Sequence, residues 1–140
     1  MQMSPYLLFD GNCEEAFEFY EQSFGATIES LTRVEDTPAA NQFPAEGRKK
    51  IMHGRLKLGD QVLLASDAPP GRYHKPQGFS VSLDIQSAEE AERVFAALAK
   101  NGSVTMPIAE TFWAQRFGMV NDRFGIPWMV NCMKIAEKAA

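Results

Sequence analysis

The chain has 140 residues, 45% of them hydrophobic and 23% charged, with a formal net charge of −4. That composition suits a single globular domain, and no run of ~18 apolar residues is present to span a membrane. It argues against nucleic acid as the main partner, because phosphate binding needs a concentrated basic face, and the basic cluster Arg48-Lys49-Lys50 reads as a solvated strand entry.

The N-terminal stretch Met1-Gln2-Met3-Ser4-Pro5 lacks the basic and apolar segments of a signal peptide, so a cytoplasmic protein is expected. Tyr6 to Phe9 then reads as a strand, closed by Asp10-Gly11. Asn12 is placed to cap a helix, with Glu15 three residues on as in a capping box. Cys13, Ala16, Phe17, Tyr20 and Phe24 fall on one apolar stripe, and Gly25 stops the helix. Strand-like segments follow at Thr27 to Val34, Ile51 to Leu58 and Gln61 to Ser66, the last two joined by a hairpin turn at Gly59-Asp60.

The same order then returns. Phe79, Val81, Leu83 and Ile85 alternate with Ser80, Ser82 and Asp84, the pattern of a half-buried strand. Ser87 caps a helix whose stripe is Ala91, Val94, Phe95 and Leu98, and Asn101-Gly102 ends it. Three more strand segments are expected at Val104 to Ile108, Phe117 to Asn121 and Pro127 to Cys132. Glu14-Glu15-Ala16 matches Glu89-Glu90-Ala91, and Tyr20 matches Phe95 at the same offset. Agreement of caps, stripes and stops indicates an internal duplication. The expected fold is α+β: one domain over residues 1–140, made of two βαβββ modules at 4–67 and 79–133. Two long loops, Glu35 to Gly47 and Asp67 to Gly78, are either lids or plain excursions. Cys13 and Cys132 have neither CxxC nor zinc-ligand spacing and read as buried free thiols.

Several strings carry a resemblance. They are Phe9-Asp10-Gly11-Asn12-Cys13-Glu14-Glu15-Ala16-Phe17, Met52-His53-Gly54-Arg55-Leu56, Thr111-Phe112-Trp113-Ala114-Gln115-Arg116-Phe117-Gly118, and Phe124-Gly125-Ile126-Pro127-Trp128-Met129-Val130-Asn131-Cys132. With the double βαβββ plan, they resemble the PhnB-like family of the vicinal oxygen chelate superfamily, which includes glyoxalase I, bleomycin-resistance proteins and extradiol dioxygenases. The resemblance runs nearly end to end. It implies curved, cup-like mixed sheets with helices outside, and a homodimer. Some family members carry a 3-demethylubiquinone methyltransferase name, but this chain has no Gly-rich strand-to-helix turn for a nucleoside cofactor. In metal-using relatives His and Glu project from strands into the cup. Carried onto this chain, those positions fall near Pro5, Leu63 or Leu64, Ser80 and Met129, none of them a strong ligand for Zn²⁺, Ni²⁺ or Fe²⁺. Neither a metal nor another cofactor is therefore expected.

The candidate ligand-binding residues are Trp113, Arg116, His53, Asp67, Glu110, Ser80 and Ser82; no catalytic residue is assigned. Trp113 offers flat apolar surface beside Phe112, and Arg116 offers a planar fork for a carboxylate or phosphonate. Core or interface packing is the competing reading of that stretch. His53 is either an acid–base group near neutral pH or a hydrogen-bonded structural histidine. His74 reads as a solvated loop residue. Ser80, Ser82 and Asp84 lie opposite the apolar side of their strand, facing the cup. Asp67 either lines the same mouth or caps a turn. The expected function is metal-free binding of a small organic molecule in an aromatic-lined cup. The alternatives are a metal-dependent lyase or isomerase of the glyoxalase I type, and a dimeric interaction protein whose cups are filled by its own side chains. Whether a reaction is catalysed stays open.

Overall fold

In the computed structural model, which describes residues 1–134, the chain divides into two compact units, Met1–His74 and a second beginning at Lys75. In the first, β1 (Tyr6–Phe9) leads into α1 (Cys13–Phe24), followed by β2 (Thr27–Arg33), β3 (Ile51–Leu58) and β4 (Gln61–Asp67). The sheet order is β1-β4-β3-β2, with β1 parallel to β4 and the other pairs antiparallel. The second unit repeats the plan with β5 (Val81–Asp84), α2 (Ala88–Ala99), β6 (Ser103–Ala109), β7 (Ala114–Asn121) and β8 (Pro127–Met133). Its order is β5-β8-β7-β6, again with only the first pair parallel. The duplicated α+β architecture with open curved sheets is thus the one its strand and helix periods encode.

Each helix buries its stripe on one face of its own sheet. Cys13, Ala16, Phe17 and Tyr20 of α1 are fully buried, as are Leu7, Phe9, Leu56 and Ala65 of the strands. In the second unit Ala91, Val94, Phe95 and Leu98 of α2 meet the side of the sheet that holds Trp128, Val130 and Val120. Trp128 is anchored there by its indole N–H, which donates to Asp122 Oδ2 at 2.9 Å, while Asp122 Oδ1 accepts from Phe124 N and Ile126 N in the β7–β8 turn. Glycines stand where the sheets meet their helices most closely. A Cβ on Gly54 would lie 3.0 Å from Phe17 Cε2, and one on Gly118 would lie 2.6 Å from Phe95 Cε1.

The expected strands are present with small shifts of end. The fifth is shorter than its alternation suggests, because Phe79 and Ser80 lie before β5 rather than in it. The seventh begins three residues earlier, at Ala114. Ser87 Oγ accepts from Glu90 N at 3.1 Å and caps α2 as expected. Asn12 does not cap α1: its side chain makes no cap bond, and its Oδ1 is buried without a partner. Asp67, at the end of β4, takes that role by accepting from Cys13 N at 2.9 Å. A bond between residues 54 apart in sequence displaced the local one.

Candidate functional site

Residues paired across a sheet share a face, so the register fixes what the side away from each helix presents. In the second unit Trp128 pairs with Val81 and Val120, and Val130 with Leu83 and Gly118. These belong to the helix side. The intervening rows form the open face: Asp84–Asn131–Phe117, and beside it Ser82–Met129–Met119, continued by Met106 on β6. Phe117, Met119, Met129 and Asn131 are half-buried, while Ser82 and Asp84 are exposed.

Trp113 lies at the rim of this face. Thr111 holds the turn before β7: its backbone N–H donates to Ala114 O, and its Oγ1 accepts from Ala114 N, each at 3.0 Å. That closure sets Trp113 half-buried with its ring edge-on to Phe117, centroids 5.3 Å apart. Phe112, almost wholly exposed, meets the other side of Trp113 at 4.8 Å. One apolar and aromatic surface therefore runs from Phe112 through Trp113 and Phe117 to Met119 and Met129. The polar groups beside it are Ser82, Asp84 and Asn131. Asn131 Nδ2 donates to Asp84 Oδ1 at 3.1 Å, and Asn131 Oδ1 is buried with no partner.

Arg116 is not on this surface. Its Cα partner is buried Cys132, a helix-side residue, and its Nε donates to Glu92 Oε1 of α2 at 2.9 Å. It is adjacent to Phe117 in β7, so the alternation of side chains along the strand puts it on the opposite face. Glu110 is exposed just past β6, with Oε2 3.6 Å from Lys134 Nζ. Ser80 is half-buried directly ahead of β5.

The first unit holds the other two candidates. His53 is exposed on the open face of the first sheet, paired with Thr32, and its ring lies 6.1 Å from that of Tyr6. Asp67 is buried. Its Oδ1 accepts from Cys13 N, and its Oδ2 accepts from Ile51 N at 2.8 Å. Burial pushes the Cys13 thiol well above its usual range, with the charges of Asp67 and Glu14 acting in the same direction. The thiol is therefore kept neutral and unreactive. Sequence reasoning missed a cavity of about 620 Å³ at the end of this sheet. Phe43 and Pro44 reach it from one long loop and Pro69 and Tyr73 from the other, with Lys50 and Met52 between them. The two loop lengths were the only signal of it in the sequence. His74 is exposed in the second of these loops.

The donor set does not fit a divalent metal of the kind the superfamily uses. Leu64 and Met129 are the open-face residues at the corresponding strand positions, and Pro5 and Ser80 precede their strands. Among the described residues no three His, Cys, Asp or Glu side chains come together. No helix among them is long and apolar enough to cross a membrane.

Two βαβββ units, each with its helix on one face of an open mixed sheet, have the fold of the vicinal oxygen chelate superfamily. A fosfomycin resistance protein, FosX from Listeria monocytogenes, solved with Mn(II) and a dihydroxypropylphosphonic acid, shares this fold at a TM-score of 0.68 and 8% identity, covering 100% of this chain and 98% of its own. Residues 1–131 match the model of the 3-demethylubiquinone-9 3-methyltransferase family, and the chain belongs to this PhnB-like family. It is 37% identical to protein YjdN of Escherichia coli, over 96% of this chain and 97% of that one. The crystal structure of protein PA1353 from Pseudomonas aeruginosa is 50% identical, with a TM-score of 0.87 over 95% of this chain and 98% of that chain. The family's name implies a methyl donor, and the residues here do not fit one. The turn from β1 into α1 is Asp10-Gly11-Asn12, with Lys50 Nζ packed close against the position a Cβ on Gly11 would take, and the first N–H of α1 is taken by Asp67. A glycine-rich turn that leaves a helix N-terminus open to phosphate or ribose is what such a cofactor needs.

Proposed function

We propose that this chain binds a small organic molecule, without a metal, on the aromatic open face of its second sheet. The observation that carries this is the position of Trp113. Its ring stacks edge-on against Phe117, an open-face residue, and stays half-buried, whereas Trp128 is sealed on the helix side and tied to Asp122. Aromatic rings and methionines side by side make an adaptable apolar wall, and a few polar groups beside it orient a ligand. Ser82, Asp84 and Asn131 are those groups here, with Ser80 and Glu110 at the margins. Arg116 is engaged by Glu92 and serves to hold β7 to α2. The mismatch of donors with the metal positions disfavours the glyoxalase I type of lyase or isomerase.

A second reading has its own observation. The cavity at the end of the first sheet has the volume of a small-ligand site, and both long loops border it. Asp67 supports its floor through backbone bonds, and His53 lies on the adjoining sheet face.

A thermal-shift screen of small aromatic and heteroaromatic molecules, followed by titration of the hits, tests the first reading. Trp113→Phe keeps the fold and weakens a hit about tenfold, or ~1.4 kcal/mol. Arg116→Lys leaves affinity within about twofold, because its partner is a helix carboxylate. Unchanged affinity in both Trp113→Phe and Phe117→Leu, with the fold intact, moves the site to the cavity of the first unit.

A further inference from the structure

The cavity at the end of the first sheet is bordered by charges of both signs that do not pair. Lys50, Asp10 and Glu46 all line it, and all three are exposed. None of them makes an ion pair with another or with any other described residue. Asp67, the remaining charged group of the lining, is already engaged, its two oxygens accepting from Cys13 N and Ile51 N. The backbone of Lys50 is fixed at both ends, since its N–H donates to Gly47 O and its carbonyl accepts from Val34 N. From there the side chain lies along the turn from β1 into α1, with Nζ packed close against the position a Cβ on Gly11 would take. Gly11 has a φ of +88°, a conformation that favours glycine, so the space beside the ammonium stays open. The wall between the charges is apolar: Phe43 comes from one long loop, Pro69 and Tyr73 from the other, and Met52 from β3.

We propose that this cavity binds a small zwitterion with an apolar body, the chemical class of a neutral α-amino acid. The carboxylate of such a molecule lies at Lys50 Nζ, its ammonium at Asp10 or Glu46, and its side chain against Phe43, Met52 and Tyr73. Opposite charges facing one apolar cavity complement a molecule that carries both. A simple acid meets Lys50 but also two carboxylates of its own sign, and a simple amine meets the carboxylates but also the lysine. Affinity therefore depends on both ends of the ligand. A volume of about 620 Å³ is in the range of small-molecule sites. The cavity shares no residue with the open face of the second sheet, and the assignment rests on no part of the open-face reading.

Leucine, isocaproate and isoamylamine are suitable probes, because they share a branched alkyl body and carry both charges, the carboxylate alone and the ammonium alone. Each is titrated into ¹⁵N-labelled protein. Leucine is expected to shift the amide signals of Phe43 and Tyr73 saturably, and to bind at least about fivefold more tightly than either of the others, the effect of one partly exposed ion pair. The Trp113 indole signal, which reports the open face, should stay in place with all three. Lys50→Met keeps most of the aliphatic stem and removes the charge, so it should weaken leucine about fivefold without weakening isoamylamine. Should that variant fail to fold, the comparison of the three probes in the wild-type protein needs no substitution. Isocaproate or isoamylamine binding as tightly as leucine would overturn the zwitterion. Failure of all three at millimolar concentration to shift Phe43 and Tyr73 would overturn the site, and neither result touches the reading of the open face.

Discussion

The two oxygens of Asp67 accept from the first N–H of α1 and the first N–H of β3. One side chain thus ties three elements together at the mouth of the first sheet. Charge-assisted bonds to backbone are stronger than neutral ones, and breaking them leaves buried N–H groups unpaired. Asp67→Asn, which sets an NH₂ group against one of those donors, should cost about 2–3 kcal/mol in urea unfolding; a loss within ~0.5 kcal/mol would show that other groups satisfy them. Cys13 gives a pH dependence with a definite sign. Burial raises its folded-state pKa above the ordinary 9.0, so in alkali the unfolded chain ionises first and holds fewer protons. Its contribution is present in full below about pH 9 and is lost as pH rises beyond it, by up to ~1.4 kcal/mol per unit. Stability measured from about pH 8 to about pH 10 should therefore fall more steeply in the wild type than in Cys13→Ala. Parallel curves would contradict this account of the thiol.

Between elements, the two glycines under the helices differ in what surrounds them. A Cβ on Gly54 meets only side-chain atoms, of Phe17 and Leu31, which are able to give by a few tenths of an ångström. One on Gly118 meets Phe95 Cε1 at 2.6 Å and the backbone Cα of Ile108 at 2.9 Å. Overpacking costs about 1–3 kcal/mol when nothing is free to move. Gly118→Ala should therefore be the more damaging of the two by at least ~1 kcal/mol in denaturant midpoints converted to free energy, and equal losses would place the tight contact elsewhere. The elements themselves were legible in the sequence, because each has a clear local period. Val81, Leu83, Ala91 and Phe95 repeat at intervals that a strand and a helix dictate, and Ser87 caps where its own type predicts. Asn12 has the same local credentials and does not cap, since Asp67 reaches the helix start from the far end of β4. Arg116 is the opposite case. It stands next to Phe117 and three residues from Trp113, so strand alternation alone puts it on the α2 side, away from both. Local pattern does not encode a partner 54 residues away, and that partner decided which side chain caps α1.

For the whole molecule, strands with apolar side chains at sheet edges, such as Val104 and Met106 on β6 and Tyr6 and Leu8 on β1, remain exposed in the single chain. Closed symmetric pairing is the common way to cover such surfaces, and we expect a homodimer. Light scattering at micromolar concentration should give about twice the 15.6 kDa of one chain, and a mass near 15.6 kDa would contradict it. Zinc or nickel present near one per chain after dialysis against a mild chelator would contradict the metal-free reading, which expects neither to be retained. The position of the site is the central claim. It is tested most directly by titrating the strongest molecule from the thermal-shift screen into ¹⁵N-labelled protein and following its two indole N–H signals. The Trp113 signal should move saturably with ligand while that of Trp128, bonded to Asp122, stays in place. A saturable shift confined to amides around Phe43 and Tyr73, with the Trp113 signal unmoved, would contradict the account and put the ligand in the cavity of the first unit.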